Sequence, residues 1–218
     1  MYKSFGHNCD CFAGVMGLLK TIVPEQTMGT QTGASARRMC KSLAEAEQVF
    51  RASCTRLLDV NHWSAFSGAL SAAFQLTDAD GHPLSAGIAT TGKLIRIRLP
   101  GPGNAAGEGY DWVRIEQIAR KEDRVKDEEI CAIVVKPVPH PEENAGAAAH
   151  FYTREASSTF VVWRAGRSLR AIEFGRNEKT NKHGGLLNRI RNMLVAFAAR
   201  TGLSNPQWKS LMEGILKG

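Results

Sequence analysis

The sequence predicts an α+β domain with an N-terminal helix, about six mainly antiparallel strands, and two C-terminal helices. Apolar residues recur at helical spacing over residues 42–58, at strand spacing over about 65–174, and at helical spacing again over 187–215. Strands joined by short loops, with helices before and after them, are typical of an antiparallel sheet. The sheet is expected either to curve around a helix or to close into a small barrel.

Residues 1–41 are predicted to be a flexible N-terminal arm, and residues 42–218 a single α+β domain. Residues 27–38 are rich in Thr, Gly, Ser and Gln and have no apolar period, which is typical of a linker or mobile arm. Ser42 and Glu45 then form a capping box that opens the first helix. Its apolar face is Leu43, Ala46, Val49, Phe50 and Leu57.

The strands follow where the spacing of apolar residues changes from helical to alternating. Turn-forming residues such as Asp78 to Gly81 separate them. A Gly-rich loop covers residues 100–109, and a hairpin loop covers 165–167. The predicted strands lie near residues 74–76, 94–99, 112–118, 130–135, 150–164 and 169–174.

Two helices are predicted to close the chain. The first has an apolar stripe of Leu187, Ile190, Leu194 and Phe197, and it ends at Gly202. Asn205 and Pro206 suit the N-cap and first positions of the second helix. The apolar face of this second helix is Trp208, Leu211, Met212 and Ile215.

Charge is distributed unevenly along the 218 residues, whose net charge is +7. Residues 154–218 hold twelve Lys and Arg against four Asp and Glu, so the basic excess lies in the last third. Such an excess indicates either a solvated helix face or a contact with nucleic acid or another anionic surface.

The five cysteines are odd in number and irregular in spacing, which favours a reducing compartment over a disulfide framework. Cys9 and Cys11 have no second Cys or His pair at ligand spacing, so no metal is predicted. The apolar stretch at residues 15–19 is too short for a secretory signal or a membrane span. We therefore expect a cytoplasmic protein with no membrane contact and no cofactor.

The densest polar cluster covers residues 175–183 and 188–192, at the end of a strand and the start of a helix. A helix N-terminus near Arg and Lys can bind an anion. The functional interpretation is a carboxylate or phosphate clamp formed by Arg176, Asn177 and Arg191, with Asn192 beside them. The structural interpretation is a capped, hydrated loop.

A second candidate is the Gly-rich loop. The functional interpretation is that it covers a pocket lined by Tyr110 and Trp112, and the structural interpretation is a long hairpin connection with Trp112 in the core. The loop lacks the Gly-Lys-Ser/Thr ending of a Walker A loop, and the strand after it excludes a dinucleotide fingerprint. His150 is a further candidate, either for ligand contact or for a structural hydrogen bond. Carboxyl groups that could act as acid or base are Glu108, Asp111, Glu116 and Glu173, but no spacing singles out a pair.

Several of these motifs together resemble an uncharacterised bacterial domain family over about residues 57–218. They are residues 99–103, 109–113, 175–178 and 207–208. The resemblance implies no activity, but it implies that these polar motifs occur together.

The sequence therefore predicts a non-catalytic binding domain for a small anionic ligand or a protein partner. A nucleic-acid-binding protein that uses the basic last third, and an enzyme with an unrecognised site, remain as alternatives. The predicted contact residues are Arg176, Asn177, Arg191, Asn192, Tyr110, Trp112 and His150.

Overall fold

A computed structural model of the chain describes residues 17–67, 72–98, 108–142, 152–179 and 206–217. Seven strands and three α-helices lie within these ranges. The strands are β1 (Thr30–Met39), β2 (Ala73–Thr77), β3 (Leu94–Arg98), β4 (Asp111–Asp123), β5 (Glu128–Pro137), β6 (Ser157–Ala165) and β7 (Ser168–Glu178). The helices are α1 (Leu43–Leu58), α2 (Trp63–Ser67) and α3 (Pro206–Leu216), and a 3-10 turn at Val60–His62 precedes α2.

The strands form one antiparallel sheet in the order β1-β7-β6-β5-β4-β3-β2. Because β1 and β2 stand at opposite ends of this order, the sheet is open and not a closed barrel. The predicted α+β class and antiparallel pairing are confirmed. Of the two predicted C-terminal helices, the second is α3, and the one expected around residues 187–197 lies outside the described residues.

The N-terminal arm prediction is wrong for residues 30–39, which form the edge strand β1. This strand pairs with β7 from Thr30 opposite Glu178 to Met39 opposite Ser168. Its side chains alternate between exposed and half-buried. Only small residues such as Ala34 and Ala36 pack against the core. The strand therefore lacks the apolar period that usually reveals a strand, and backbone pairing stabilises it instead.

Helix α1 begins at the predicted capping box. Ser42 accepts a hydrogen bond from the Glu45 N–H at 3.1 Å, and Glu45 accepts one from the Lys41 N–H at 2.7 Å. The helix packs against β5 and β6 through its predicted apolar face, except for Leu43, which is exposed.

The inner face of the sheet, which α1 and α3 cover, holds an aromatic cluster. Trp63 packs against Phe160 with ring centroids 4.9 Å apart and against Phe74 at 5.3 Å. Trp208 of α3 packs against Phe160 at 5.2 Å. These ring contacts join α2 and α3 to the sheet.

The outer face of the central strands is covered by the segment Leu18 to Val23. Leu19 and Ile22 are buried against a surface that includes Ile130, Val161 and Trp163. With both faces covered, β5 and β6 can be apolar almost without interruption. Among the described residues, none of the helices combines the length and apolar character that a bilayer crossing requires.

Candidate functional site

Strand β7 carries a buried carboxyl group on the inner face of the sheet. Leu169 and Ala171 belong to the inner core, and alternation along the strand places Glu173 on the same face. Glu173 lies between Phe160 of β6 and Ala34 of β1 and is only 1% exposed. Neither of its carboxyl oxygens has a hydrogen-bond partner in the described part of the chain.

Burial and, to a smaller extent, the nearby charge of Glu178 together raise the pKa of Glu173 to about 8, against the opposing effect of Arg176. A carboxyl group in this state holds a proton near neutral pH, and a cationic partner beside it would favour its ionised form.

A second carboxyl group, that of Glu178, lies at the end of the same strand. Its Oε1 accepts a hydrogen bond from Thr32 Oγ1 at 2.9 Å. The hydroxyl of Tyr152 also hydrogen-bonds to this carboxyl group. Burial raises the pKa of Glu178, while the bonds from Thr32 and Tyr152 and the charge of Arg176 oppose the change. Its Oε2 is buried and unbonded within the described ranges.

A cavity of about 20 Å³ lies beside Tyr152 and Glu178, with Val113, Val135 and Pro137 forming its apolar wall. A cavity of this size has room for about one water-sized group. Of the polar residues described above, Tyr152 and Glu178 line this cavity, and Thr32 and Glu173 lie next to Glu178 without lining it. We call these four residues, with the cavity, the acidic pocket.

Arg176, the first predicted contact residue, interacts electrostatically with Glu173 and Glu178. Its side chain, however, packs on Phe174, which belongs to the outer face of the sheet. Its guanidinium carbon is 5.2 Å from the centroid of the Phe174 ring, and its Nη1 donates to the Gly175 carbonyl at 2.9 Å. The side chain is half-buried, and desolvation lowers its pKa. Three other predicted contact residues, His150, Arg191 and Asn192, lie outside the described residues.

Asn177, in contrast, anchors the segment that precedes β1. Its Oδ1 accepts bonds from the N–H groups of Thr27 at 2.8 Å and Met28 at 3.1 Å. Its Nδ2 donates to the Glu25 carbonyl at 2.9 Å. Its φ of 55° lies in the left-handed region, which Asn tolerates better than most residues. These contacts give Asn177 a structural role, and its predicted ligand contact stays a prediction.

Tyr110 and Trp112 belong to a small cluster at the start of β4. Trp112 is buried with Leu94 and Val138, and its ring centroid is 5.2 Å from that of His140. The guanidinium of Arg96 lies 4.8 Å above the Tyr110 ring. Residues 100–107 of the predicted loop lie outside the described ranges.

The two predicted polar regions nevertheless lie at the same end of the sheet. Val113, the neighbour of Trp112, lines the same cavity as Glu178, the neighbour of Asn177. The sequence named Glu173 only as one of four acid or base candidates, and it missed Thr32 and Tyr152. The available signal was the spacing of Glu173 from Leu169 and Ala171, which puts a charged residue on the apolar face of a strand.

Several arginines of the basic last third are engaged within the fold. Arg164 is 4% exposed and pairs with Asp127 at 2.7 Å and Glu129 at 2.6 Å. The guanidinium of Arg170 lies 5.8 Å from the Trp163 ring centroid. These side chains stabilise the sheet, and they contribute less to a phosphate-binding surface than the charge count alone indicates.

Potential metal-ligand atoms of Asp78, Asp80 and His82 lie within 4.8 Å of one another after β2. Asp78 accepts bonds from the N–H groups of Asp80 at 3.0 Å and His82 at 2.8 Å. This is the ordinary pattern of an Asp-stabilised turn, so it carries no argument for a metal.

No protein-family model matches the chain, and no curated protein matches it. Solved structures show a distant likeness. Ginseng major latex-like protein 151 from Panax ginseng is 13% identical, with 86% of this chain and 97% of that chain covered and a TM-score of 0.35. A protein from Thermus thermophilus, TTHA0849, is 14% identical, with 85% and 94% covered and a TM-score of 0.35. Human STARD10 is 8% identical, with 100% and 83% covered and a TM-score of 0.37. Likeness at this level carries no conclusion about function.

Proposed function

We propose that this protein is a non-catalytic binding domain whose ligand places a primary ammonium group in the acidic pocket. The observation that carries the proposal is the burial of three carboxyl oxygens, both of Glu173 and one of Glu178, that have no hydrogen-bond partner among the described residues. Buried polar atoms in folded proteins are nearly always bonded, because an unbonded one costs roughly 1–3 kcal/mol. A ligand that supplies donors recovers that cost.

A primary ammonium suits these acceptors once Glu173 is ionised, because it supplies the donors that they lack. It carries three N–H donors and no acceptor. The cavity beside Glu178 admits one group of about this size. The cavity wall at Val113, Val135 and Pro137 is apolar, but the cavity has no room beyond this one group, so the carbon chain of the ligand must lie outside it. Pairing with a cation also offsets the desolvation of the two carboxylates.

A small anionic ligand is the alternative, and the half-burial of Arg176 favours it. Desolvation disfavours the charged form of this guanidinium and lowers its pKa, so a carboxylate or phosphate beside it would be stabilised. In this arrangement Arg176 pairs with the anion; the clamp that the sequence predicts also includes Arg191 and Asn192, which lie outside the described residues.

Three probes that differ in their polar group distinguish an ammonium ligand from an anionic ligand. Butylammonium, butanol and butyrate share a carbon chain and differ in charge. The ammonium probe is expected to raise the unfolding temperature of the wild type at pH 9, because a ligand that binds only the folded state stabilises it. Glu173→Gln is expected to abolish the shift, whereas the exposed control Glu116→Gln retains it.

The opposite pattern contradicts the ammonium proposal. A shift with butyrate that Arg176→Ala removes and Glu173→Gln leaves unchanged assigns the site to an anion. A shift with butylammonium that is the same in Glu173→Gln and in the wild type also excludes the acidic pocket.

A further inference from the structure

We infer that the free edge of β1 is a docking surface for an acidic, extended segment of a partner protein. Within the described residues, β7 is the only strand paired with β1. The Cys40 N–H donates to the Arg167 carbonyl at 2.9 Å, in register with the β1–β7 ladder. In an antiparallel strand, a residue that points its N–H and C=O groups towards one neighbouring strand is followed by a residue that points both groups to the opposite side. The groups that face away from β7 are therefore those of Gly33, Ser35, Arg37 and Met39.

This edge has little of the protection that exposed edge strands usually carry. It is 10 residues long, whereas strands are typically about five or six. Prolines, charged side chains and bulges normally blunt such an edge, and β1 carries charged side chains only near its end, at Arg37 and Arg38. The one irregularity in its pairing lies at the far end, between Thr30 and Thr32. Gly33 and Ser35 are small and exposed, so a second backbone can approach the middle of the strand.

A groove of about 390 Å³ runs beside this edge, between β1 and the end of α3. Its charged lining is basic, since Arg37, Arg38 and Lys217 outnumber the single carboxylate of Glu213. Arg38 is held by the Leu216 carbonyl at 3.0 Å and by Glu45 at 3.4 Å. Arg37 and Lys217 are exposed and remain in position to pair with carboxylates of an incoming strand.

Charge decides between a partner protein and a second copy of this chain. Two β1 strands paired edge to edge would add a second Arg37 and Arg38 to a surface that is already basic, with no carboxylate in β1 to offset them, and like charges that come directly opposite each other destabilise strand pairing. A partner strand with acidic side chains is instead attracted to these arginines. Its backbone groups can also hydrogen-bond to the groups of β1 that face away from β7. The occupant that fits is an acidic, extended segment.

A short labelled peptide that alternates valine and glutamate tests the charge requirement by fluorescence anisotropy. It is expected to bind the wild type, whereas the valine–lysine counterpart does not. Arg37→Glu is expected to weaken binding by about tenfold or more, because a like charge then faces the peptide. Equal binding of the two peptides, or an unchanged dissociation constant in Arg37→Glu, overturns the proposal.

The backbone requirement is tested with Ser35→Pro against Ser35→Ala. Proline removes an N–H that faces away from β7 and leaves the β1–β7 ladder intact, so the edge tolerates it. Ser35→Pro is expected to lose the peptide and Ser35→Ala to retain it. An N-methylated valine–glutamate peptide supplies the same test on the wild type and is expected not to bind. Binding by that peptide overturns the inference, as does a wild-type dimer in analytical ultracentrifugation that Ser35→Pro dissociates.

Discussion

Gly175 leaves the space in which the carboxyl group of Glu178 folds back over β7. A Cβ at Gly175 would lie well inside van der Waals contact with both Glu178 Oε1 and Thr32 Oγ1, the two atoms whose hydrogen bond spans 2.9 Å. A residue without a side chain therefore permits a buried carboxyl group to reach its partner on the edge strand.

Gly175→Ala is expected to lower the free energy of unfolding by about 1–3 kcal/mol, because overpacking forces the Thr32–Glu178 bond apart. Urea unfolding measures the change. Gly17→Ala is the matched control, since a Cβ there meets nothing within 4 Å. An unchanged midpoint in Gly175→Ala would mean that Glu178 does not occupy this position.

The stability of the protein is expected to fall as the pH rises from about 4.5 to about 8. Glu173 has an ordinary pKa of 4.5 and a folded pKa of about 8. Within that window the folded state holds a proton that the unfolded state has released, so raising the pH favours unfolding. Below this pH window Glu173 is protonated in both the folded and the unfolded state, and above it Glu173 is ionised in both.

Glu173→Gln removes this titration and should flatten the dependence of stability on pH. Between pH 5 and pH 9, the free energy of unfolding of the variant relative to that of the wild type is expected to rise by on the order of a few kcal/mol. Urea unfolding across that range measures it, with Glu116→Gln as the exposed control. Parallel pH curves for Glu173→Gln and the wild type would contradict the raised pKa.

Asn177 is expected to contribute to stability through two separable effects. Asn177→Gly keeps the positive φ and loses the bonds to Glu25, Thr27 and Met28, at a cost of about 1–2 kcal/mol. Asn177→Ala also forces a Cβ into the left-handed region, which adds about 1 kcal/mol. Urea unfolding gives both values. A glycine variant as stable as the wild type would mean that the segment before β1 is not anchored at Asn177.

The affinity for butylammonium is expected to increase as the pH rises towards 8. An ammonium pairs with ionised Glu173, and an alkylammonium, like Lys with its pKa of ~10.4, keeps its own charge through this range. Below pH 8 the association constant should rise by up to about tenfold per pH unit. Titration calorimetry at several pH values measures this dependence, and a flat profile would exclude Glu173 as the binding group.

Local signals in the sequence were sufficient for α1, for the β6–β7 hairpin and for α3. The Ser42 cap, the turn at Gly166 with its φ of 53°, and Pro206 at the first position of α3 each act within a few residues. The edge strand β1 was missed because its stabilisation comes from pairing with β7, which is distant in sequence.

The acidic pocket was only partly predictable for the same reason. Glu173 was visible as a charged residue in an apolar strand, but Thr32 and Tyr152 reach Glu178 only after the sheet has formed. The sequence also favoured an anion at Arg176, because charge counts do not show that two neighbouring carboxyl groups are buried.

The central claim, that Glu173 receives the donor group of a ligand, is tested most directly by carbon-detected NMR of the glutamate carboxyl groups. Added butylammonium is expected to shift the Glu173 resonance and to lower its pKa from about 8, because a bound cation stabilises the carboxylate. Butanol carries no charge, so the pKa of Glu173 should stay higher with butanol than with butylammonium. A Glu173 resonance and pKa that stay unchanged at saturating butylammonium would contradict the claim.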